Sequence, residues 1–209
     1  MMKLFSLFLV LLFIHTFASA ASSPVLDTDG EELKPDVEYY ISFNDYGPSG
    51  GIGLPRGWGR LKCPVSVIQM LQDDIGLPVI MKPVKPSESK ILENSTDVYI
   101  SFPGSLTRCP GGAASWRVEY VESVKKSLVV AGTFVPNPSS YFRIVQDPRE
   151  INGYVFATCP NISGLQCRKL GLFGVGDQDR LAVNDQPNDL PYKFWFVKKE
   201  NVGVIQLPK

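Results

Sequence analysis

Short apolar segments with alternating polar positions recur along the chain, and they are rich in β-branched and aromatic residues. Examples are residues 39–43, 98–102, 116–120, 141–145 and 193–197. Alternation with a period of two is typical of half-buried strands. Turn signals lie between these segments, among them Asp29-Gly30 and Asn152-Gly153. The pattern predicts an all-β domain of about ten to twelve strands, arranged as a closed barrel or a sandwich.

Residues 1–20 do not fit this pattern. Lys3 precedes an apolar run over residues 4–17, and Ala18-Ser19-Ala20 follows as a small-residue cleavage site. A run this short with these flanks predicts a secretory signal peptide rather than a membrane span. Residues 21–209 are then predicted to form one exported domain, since their number suits a single core.

The charge balance and the histidine content exclude several classes of function. The chain has 21 basic and 21 acidic side chains, so there is no basic surplus to indicate nucleic acid or a membrane surface as a partner. The single histidine is His15, inside the predicted signal peptide. The exported domain therefore lacks Ser-His-Asp catalysis and histidine-ligated zinc. We expect no enzyme activity, no metal and no cofactor.

The four cysteines are Cys63, Cys109, Cys159 and Cys167. An even number in an exported chain predicts two disulfides, and three pairings are consistent with the sequence. Pairing Cys159 with Cys167 would close a short loop and leave Cys63 with Cys109. Two glycosylation sequons, at Asn94 and Asn161, lie in predicted loops.

The spacing across residues 25–41 resembles the N-terminal signature of the plant Kunitz-type family, the soybean trypsin inhibitor family. The matching positions are Val25, Asp27, Asp29, Gly30, Glu31, Leu33, Tyr39 and Ile41. The similarity continues through Cys63-Pro64, Trp116, residues 153–160 and residues 170–196. It implies a monomeric β-trefoil of about twelve strands with long loops. It also implies the pairings Cys63–Cys109 and Cys159–Cys167, and export to the apoplast or, alternatively, to the vacuole.

The resemblance also implies a function and a site. Family members that inhibit serine endopeptidases present an exposed loop as a substrate, and one anchor side chain fills the specificity pocket of the enzyme. In this chain the loop corresponds to residues around Ser87 and Glu88. The implied protease-binding loop is Lys85, Pro86, Ser87, Glu88, Ser89, Lys90 and Ile91.

Three departures from the family pattern leave alternatives open. Lys85 is followed by Pro86, whose ring fixes φ and removes an N–H, although Lys90-Ile91 is a better trypsin-like bond. Pro35 stands where active members carry an asparagine that braces the loop. The sequon at Asn94 follows the loop closely. The alternatives are a non-inhibitory miraculin-like, storage or stress and defence protein, or an inhibitor of a non-trypsin protease.

We expect peptide mapping without reduction to find Cys63 joined to Cys109 and Cys159 joined to Cys167. Removal of the long-range Cys63–Cys109 bridge should lower the free energy of unfolding by about 2–5 kcal/mol, because the unfolded chain gains freedom. A free thiol, or a peptide that joins Cys109 to Cys159, would contradict the pairing.

Overall fold

The computed structural model describes residues 22–45, 49–55, 63–104, 114–159, 166–186 and 189–202. The strands in these ranges are β1 Glu38–Ser42, β2 Ile52–Gly53, β3 Val65–Ser66, β4 Ile68–Gln69, β5 Val79–Pro83, β6 Asp97–Phe102, β7 Ala114–Val121, β8 Lys126–Gly132, β9 Phe142–Gln146, β10 Tyr154–Thr158, β11 Arg168–Val175, β12 Gln178–Val183 and β13 Lys193–Lys198. Short 3₁₀ helices lie at Pro138–Ser140 and Lys199–Asn201.

Six of these strands close into an antiparallel barrel. Strand β1 pairs with β5, β5 with β6, β6 with β9, β9 with β10, β10 with β13, and β13 again with β1. The ring leaves no open edge among its members, and closure is one of the few ways in which a sheet removes its unpaired edge groups.

Three hairpins close one end of the barrel. They are β7–β8, β11–β12, and the set formed by β2, β3 and β4. Val67, between β3 and β4, joins them: its N–H donates to Val129 O and its carbonyl accepts from Leu181 N, both at 2.9 Å. Six barrel strands and three capping hairpins make a β-trefoil. The predicted all-β fold is confirmed, and the break at Val67 accounts for one strand beyond the predicted twelve.

Aromatic side chains fill the centre of the barrel. Phe156 lies 4.2 Å from Phe194 between ring centroids and 5.8 Å from Trp116, and all three are buried. These side chains come from β7, β10 and β13. The period-two pattern of the sequence is seen in β6 and β9, where buried positions alternate with more exposed ones.

The structure joins Cys159 and Cys167 in a disulfide, with 4.1 Å between their Cα atoms. Cys63 is also disulfide-bonded, but its predicted partner Cys109 lies outside the described residues. The predicted signal peptide, residues 1–20, and Asn161 lie outside them as well. Within the described ranges, no helix is long and apolar enough to cross a membrane.

Phe156→Ala should lower the free energy of unfolding by about 3–5 kcal/mol, because it removes a ring from a packed centre that cannot collapse onto the space. Tyr120→Ala is the matched control, since Tyr120 is 60% exposed on β7, and it should change the value by less than about 0.5 kcal/mol. Urea unfolding of both variants measures the difference. Equal losses would contradict this assignment of the core.

Candidate functional site

The predicted protease-binding loop connects β5 to β6 and projects from the barrel. Lys85, Pro86, Ser87, Ser89 and Lys90 are exposed. At its base, Val84 N donates to Asp97 O at 2.8 Å, which continues the pairing of the two strands by one step. The structure therefore brings the exposed members of the predicted site onto one connection.

The tip of the loop is a closed turn. Glu88 N donates to Lys85 O at 3.0 Å, and Pro86 occupies the second position of this four-residue turn, where its fixed φ is favourable. The Lys85 ammonium pairs with the Glu88 carboxylate at 3.3 Å. The side chain of Lys85 is still 74% exposed, so the ion pair is solvated and contributes at most about 1 kcal/mol.

The second half of the loop returns to the core. Lys90 pairs with Glu32 of the N-terminal segment at 2.8 Å. Ile91 is 1% exposed, and its carbonyl accepts the N–H of Val25 at 3.0 Å. Ile91 therefore differs from the other members of the predicted protease-binding loop, because its side chain is buried in the core. The Lys90–Ile91 bond is held against the N-terminal segment, and the protease-binding role of the loop stays a prediction.

A compact turn follows at residues 92–96. The hydroxyl of Thr96 accepts from Leu92 N at 3.0 Å and donates to Lys90 O at 3.4 Å. Asn94 N donates to Ile144 O at 2.9 Å, while the Asn94 side chain is exposed. An exposed turn is the setting that a glycan acceptor needs, so glycosylation of Asn94 stays a prediction.

A buried cluster of acids and a tyrosine fixes the N-terminal segment beside the loop. The Tyr154 hydroxyl accepts from Leu26 N at 2.9 Å, and it also interacts with the nearby Glu93 carboxylate. Asp27 is 1% exposed, and its Oδ1 accepts from Asp29 N and Glu31 N, each at 3.0 Å. Burial raises the pKa of both carboxyls, and in Glu93 the hydrogen bond from Tyr154 opposes that rise.

A cleft lies between the loop and Pro35, the position at which active family members carry the bracing asparagine. It has a volume of about 530 Å³, and its lining includes Pro35, Lys85, Pro86 and Ser89. Within the described residues, no hydrogen bond joins residues 34–36 to residues 84–90. Pro35 has no side-chain donor, so the loop tip is held by its own turn and not by a brace.

Sequence reasoning missed Glu32, Glu93 and Tyr154 as residues that hold the loop. Tyr154 lies in the matched segment 153–160, and this was the one available signal. Glu32 and Glu93 have no motif around them, and their pairing with Lys90 and Tyr154 depends on contacts between residues far apart in sequence.

Comparison with known proteins gives consistent matches. The family model described as "Trypsin and protease inhibitor", of the legume Kunitz type, matches residues 25–198. A 21 kDa seed protein of Theobroma cacao is 36% identical over 202 residues, which cover 91% of this chain and 87% of that protein. Miraculin of Synsepalum dulcificum is 30% identical over 186 residues, covering 81% and 82%. A Kunitz-type cysteine protease inhibitor from potato superposes with a TM-score of 0.66 at 31% identity, covering 86% and 98%.

Glu93→Gln should make the free energy of unfolding depend less on pH. The folded chain binds the Glu93 proton more tightly than the unfolded chain, because the folded pKa lies above the ordinary value of 4.5. The carboxyl therefore stabilises the fold below that ordinary value, and this contribution is lost as the pH rises through the raised pKa. Glutamine does not titrate and still accepts from Tyr154.

Urea unfolding of the parent and the variant at intervals between pH 4 and pH 7 tests this. The free energy of unfolding of the variant, minus that of the parent, should increase with pH. A difference that is constant across this range would contradict the assignment.

Proposed function

The chain belongs to the legume Kunitz family of trypsin and protease inhibitors, and we propose that it inhibits a serine endopeptidase through the loop of residues 84–90. The observation that supports the proposal most directly is this loop, which projects from the barrel at the position that the family resemblance assigns to the protease. Members of the family are inhibitors rather than enzymes, and the absence of histidine from residues 21–209 agrees with that role.

Lys85 is the better anchor of the two lysines. Its side chain is 74% exposed, and its partner Glu88 lies three residues away in the same turn. Moving the Lys85 side chain into an enzyme pocket therefore breaks only one solvated ion pair. Lys90 is tied to Glu32 and precedes a buried isoleucine. A lysine that enters a trypsin-like pocket pairs there with a buried acid, and one such anchor supplies much of the affinity of an interface.

Pro86 affects how readily an enzyme could cleave the loop after Lys85. A proline after the anchor restricts φ and lacks the N–H that an extended substrate presents at this position. The Lys85–Pro86 bond is thus a poor bond to cleave, and the loop would occupy the enzyme without being consumed. The closed turn must open for the loop to lie extended in an active site, and the single hydrogen bond from Glu88 N to Lys85 O opposes this.

The same turn favours a second candidate function, a protein without protease inhibition on the same scaffold. A closed tip, a proline after the anchor and an unbraced cleft at Pro35 are all unfavourable for substrate-like binding. The seed protein of Theobroma cacao and miraculin are relatives whose names do not describe inhibitors. A storage, defence or taste-modifying role is the corresponding alternative. The potato relative adds cysteine proteases to the enzymes that need testing.

We further propose that the protein acts as an exported monomer, in the apoplast or in a vacuole. The support is the signal-like sequence of residues 1–20 and the Cys159–Cys167 disulfide, because disulfides persist in oxidising compartments.

Lys85→Ala and Lys90→Ala form a matched pair of test variants. If Lys85 is the anchor, its loss leaves the acid of the enzyme pocket buried and unpaired. Binding should then become less favourable by about 2–5 kcal/mol, so the inhibition constant should rise by roughly 30-fold or more. Lys90→Ala removes a solvated pair and should change affinity by less than about 1 kcal/mol. Inhibition constants against trypsin, chymotrypsin, subtilisin and papain measure both.

Two outcomes would overturn parts of the proposal. Equal inhibition by the parent and both variants would remove lysine as the anchor and leave Ser87-Glu88, or another loop such as residues 136–140, as the contact. A parent that inhibits none of the four enzymes at micromolar concentration would favour the second candidate function.

A further inference from the structure

A half-open cavity of about 960 Å³ lies away from the proposed inhibitory loop. The hairpin β11–β12, the start of β13, Phe43 after β1 and the turn that precedes β10 surround it. Its apolar lining consists of Phe43, Leu172, Phe173, Leu190, Tyr192 and Trp195. The volume lies within the range of about 300–1,000 Å³ that sites for small molecules occupy, and aromatic lining is typical of such sites.

One rim of the cavity is formed by residues 184–186 and 189–192, which precede β13 and are joined by side-chain hydrogen bonds. The Asp189 carboxylate accepts from Asp185 N at 2.9 Å and from Gln186 N at 3.1 Å. Asn184 Nδ2 donates to Asp189 O at 3.2 Å. A Cβ on Gly171 would lie 2.6 Å from the carbonyl oxygen of Leu190, so glycine permits this segment to pack directly on β11. The rim holds Leu190 with 82% of its surface exposed.

The opposite rim is the turn before β10, and a buried acid organises it. Asp147 is 3% exposed, and its two carboxylate oxygens accept from the guanidinium of Arg149 at 3.0 Å each. Asp147 N donates to Gly153 O at 2.9 Å. Trp195 Nε1 donates to the carbonyl of Ile151 at 3.1 Å, which fixes the indole in the cavity wall. Both rims are therefore formed before any ligand arrives, and a preformed site loses little entropy on binding.

The charged side chains of the lining already have partners of opposite charge or backbone donors. Lys193 pairs with Glu150 at 2.8 Å, and Lys126 pairs with Asp185 at 2.5 Å. The carboxylate of Asp189 and the guanidinium of Arg149 make the contacts described above. These charges balance one another in and beside the lining, so the cavity carries no large excess charge of one sign that would attract a charged ligand. The charge pattern of the cavity thus matches an uncharged ligand.

We propose that this cavity is a binding site for an uncharged aromatic small molecule. The exposed apolar side chains of the cavity are Phe43 at 51%, Leu172 at 37% and Leu190 at 82%, while Tyr192 and Trp195 are 4% and 8% exposed and form its floor. Aromatic surfaces of this kind gain most when they stack against another ring. Large apolar side chains that rigid rims hold in solvent are typical of binding sites rather than of inert surface. The site is independent of the inhibitory loop, since no lining residue belongs to residues 84–90.

The test uses N-phenyl-1-naphthylamine, an uncharged aromatic dye whose fluorescence increases in apolar surroundings. The full-length exported protein should bind one dye molecule per chain with a dissociation constant in the micromolar range. Leu190→Asp should weaken this binding by about tenfold or more, because it places a charge on the apolar rim. Leu71→Asp is the matched control: Leu71 is 65% exposed and does not line the cavity. It should change the dissociation constant less than twofold.

Two checks of folding and one additional variant complete the test. Far-ultraviolet circular dichroism and thermal unfolding check that both variants fold, and Leu172→Asp repeats the test from the opposite wall. The absence of saturable dye binding to the parent, or equal weakening by Leu190→Asp and Leu71→Asp, would overturn the proposal. It would also be overturned if the parent is a dimer by light scattering that Leu190→Asp dissociates, since the cavity would then be covered by a second copy of the chain.

Discussion

The hydroxyl of Tyr154 connects the core of the barrel to the site. Its ring is fully buried on β10, while its oxygen accepts the N–H of Leu26 and interacts with the carboxylate of Glu93. Leu26 lies in the N-terminal segment, and Glu93 lies in the turn that follows the loop of residues 84–90. One buried phenol therefore contacts both segments. Without it, the part-buried N–H of Leu26 would lose its partner, and an unpaired group of this kind is destabilising.

This arrangement divides the loop into a rigid half and a weakly held half. From Ile91 to Thr96, buried contacts and backbone hydrogen bonds fix the chain. From Lys85 to Lys90, the contacts described are one turn hydrogen bond, two solvated ion pairs and the 3.4 Å hydrogen bond from the Thr96 hydroxyl to Lys90 O. Exposed ion pairs add little stability, so the tip can change conformation while its base does not. In the proposed inhibitory role, Lys85 would lie in the adaptable half of the loop, and the fixed base would position that half for the enzyme.

The sequence predicted the fold well because period-two alternation is a local property that the core preserves. Burial alternates along β5, β6 and β9 as the sequence predicts, whereas every residue of β10 is buried. The site was harder to predict because its contacts are long-range. In the sequence, Ile91 is simply the residue that follows a lysine in a predicted loop. Only the structure shows that its carbonyl pairs with Val25 N of the N-terminal segment, next to the core. The cavity could not be predicted from the sequence for the same reason, since its lining residues come from six separate segments of the chain.

The two proposed sites can evolve separately because the barrel decouples them. The proposed inhibitory loop connects β5 to β6, whereas the cavity is lined by β11, β12, the start of β13 and the turns beside it. The ring of six strands is closed by backbone pairing, which does not require the exposed side chains of either site. Substitutions at distant sites with no shared partners contribute nearly additively to stability. A change in the loop that abolishes protease binding would therefore leave the cavity intact, and a protein that has lost inhibition could keep its second site. A shared fold carries different functions in this way, through sites on a scaffold that does not change with them.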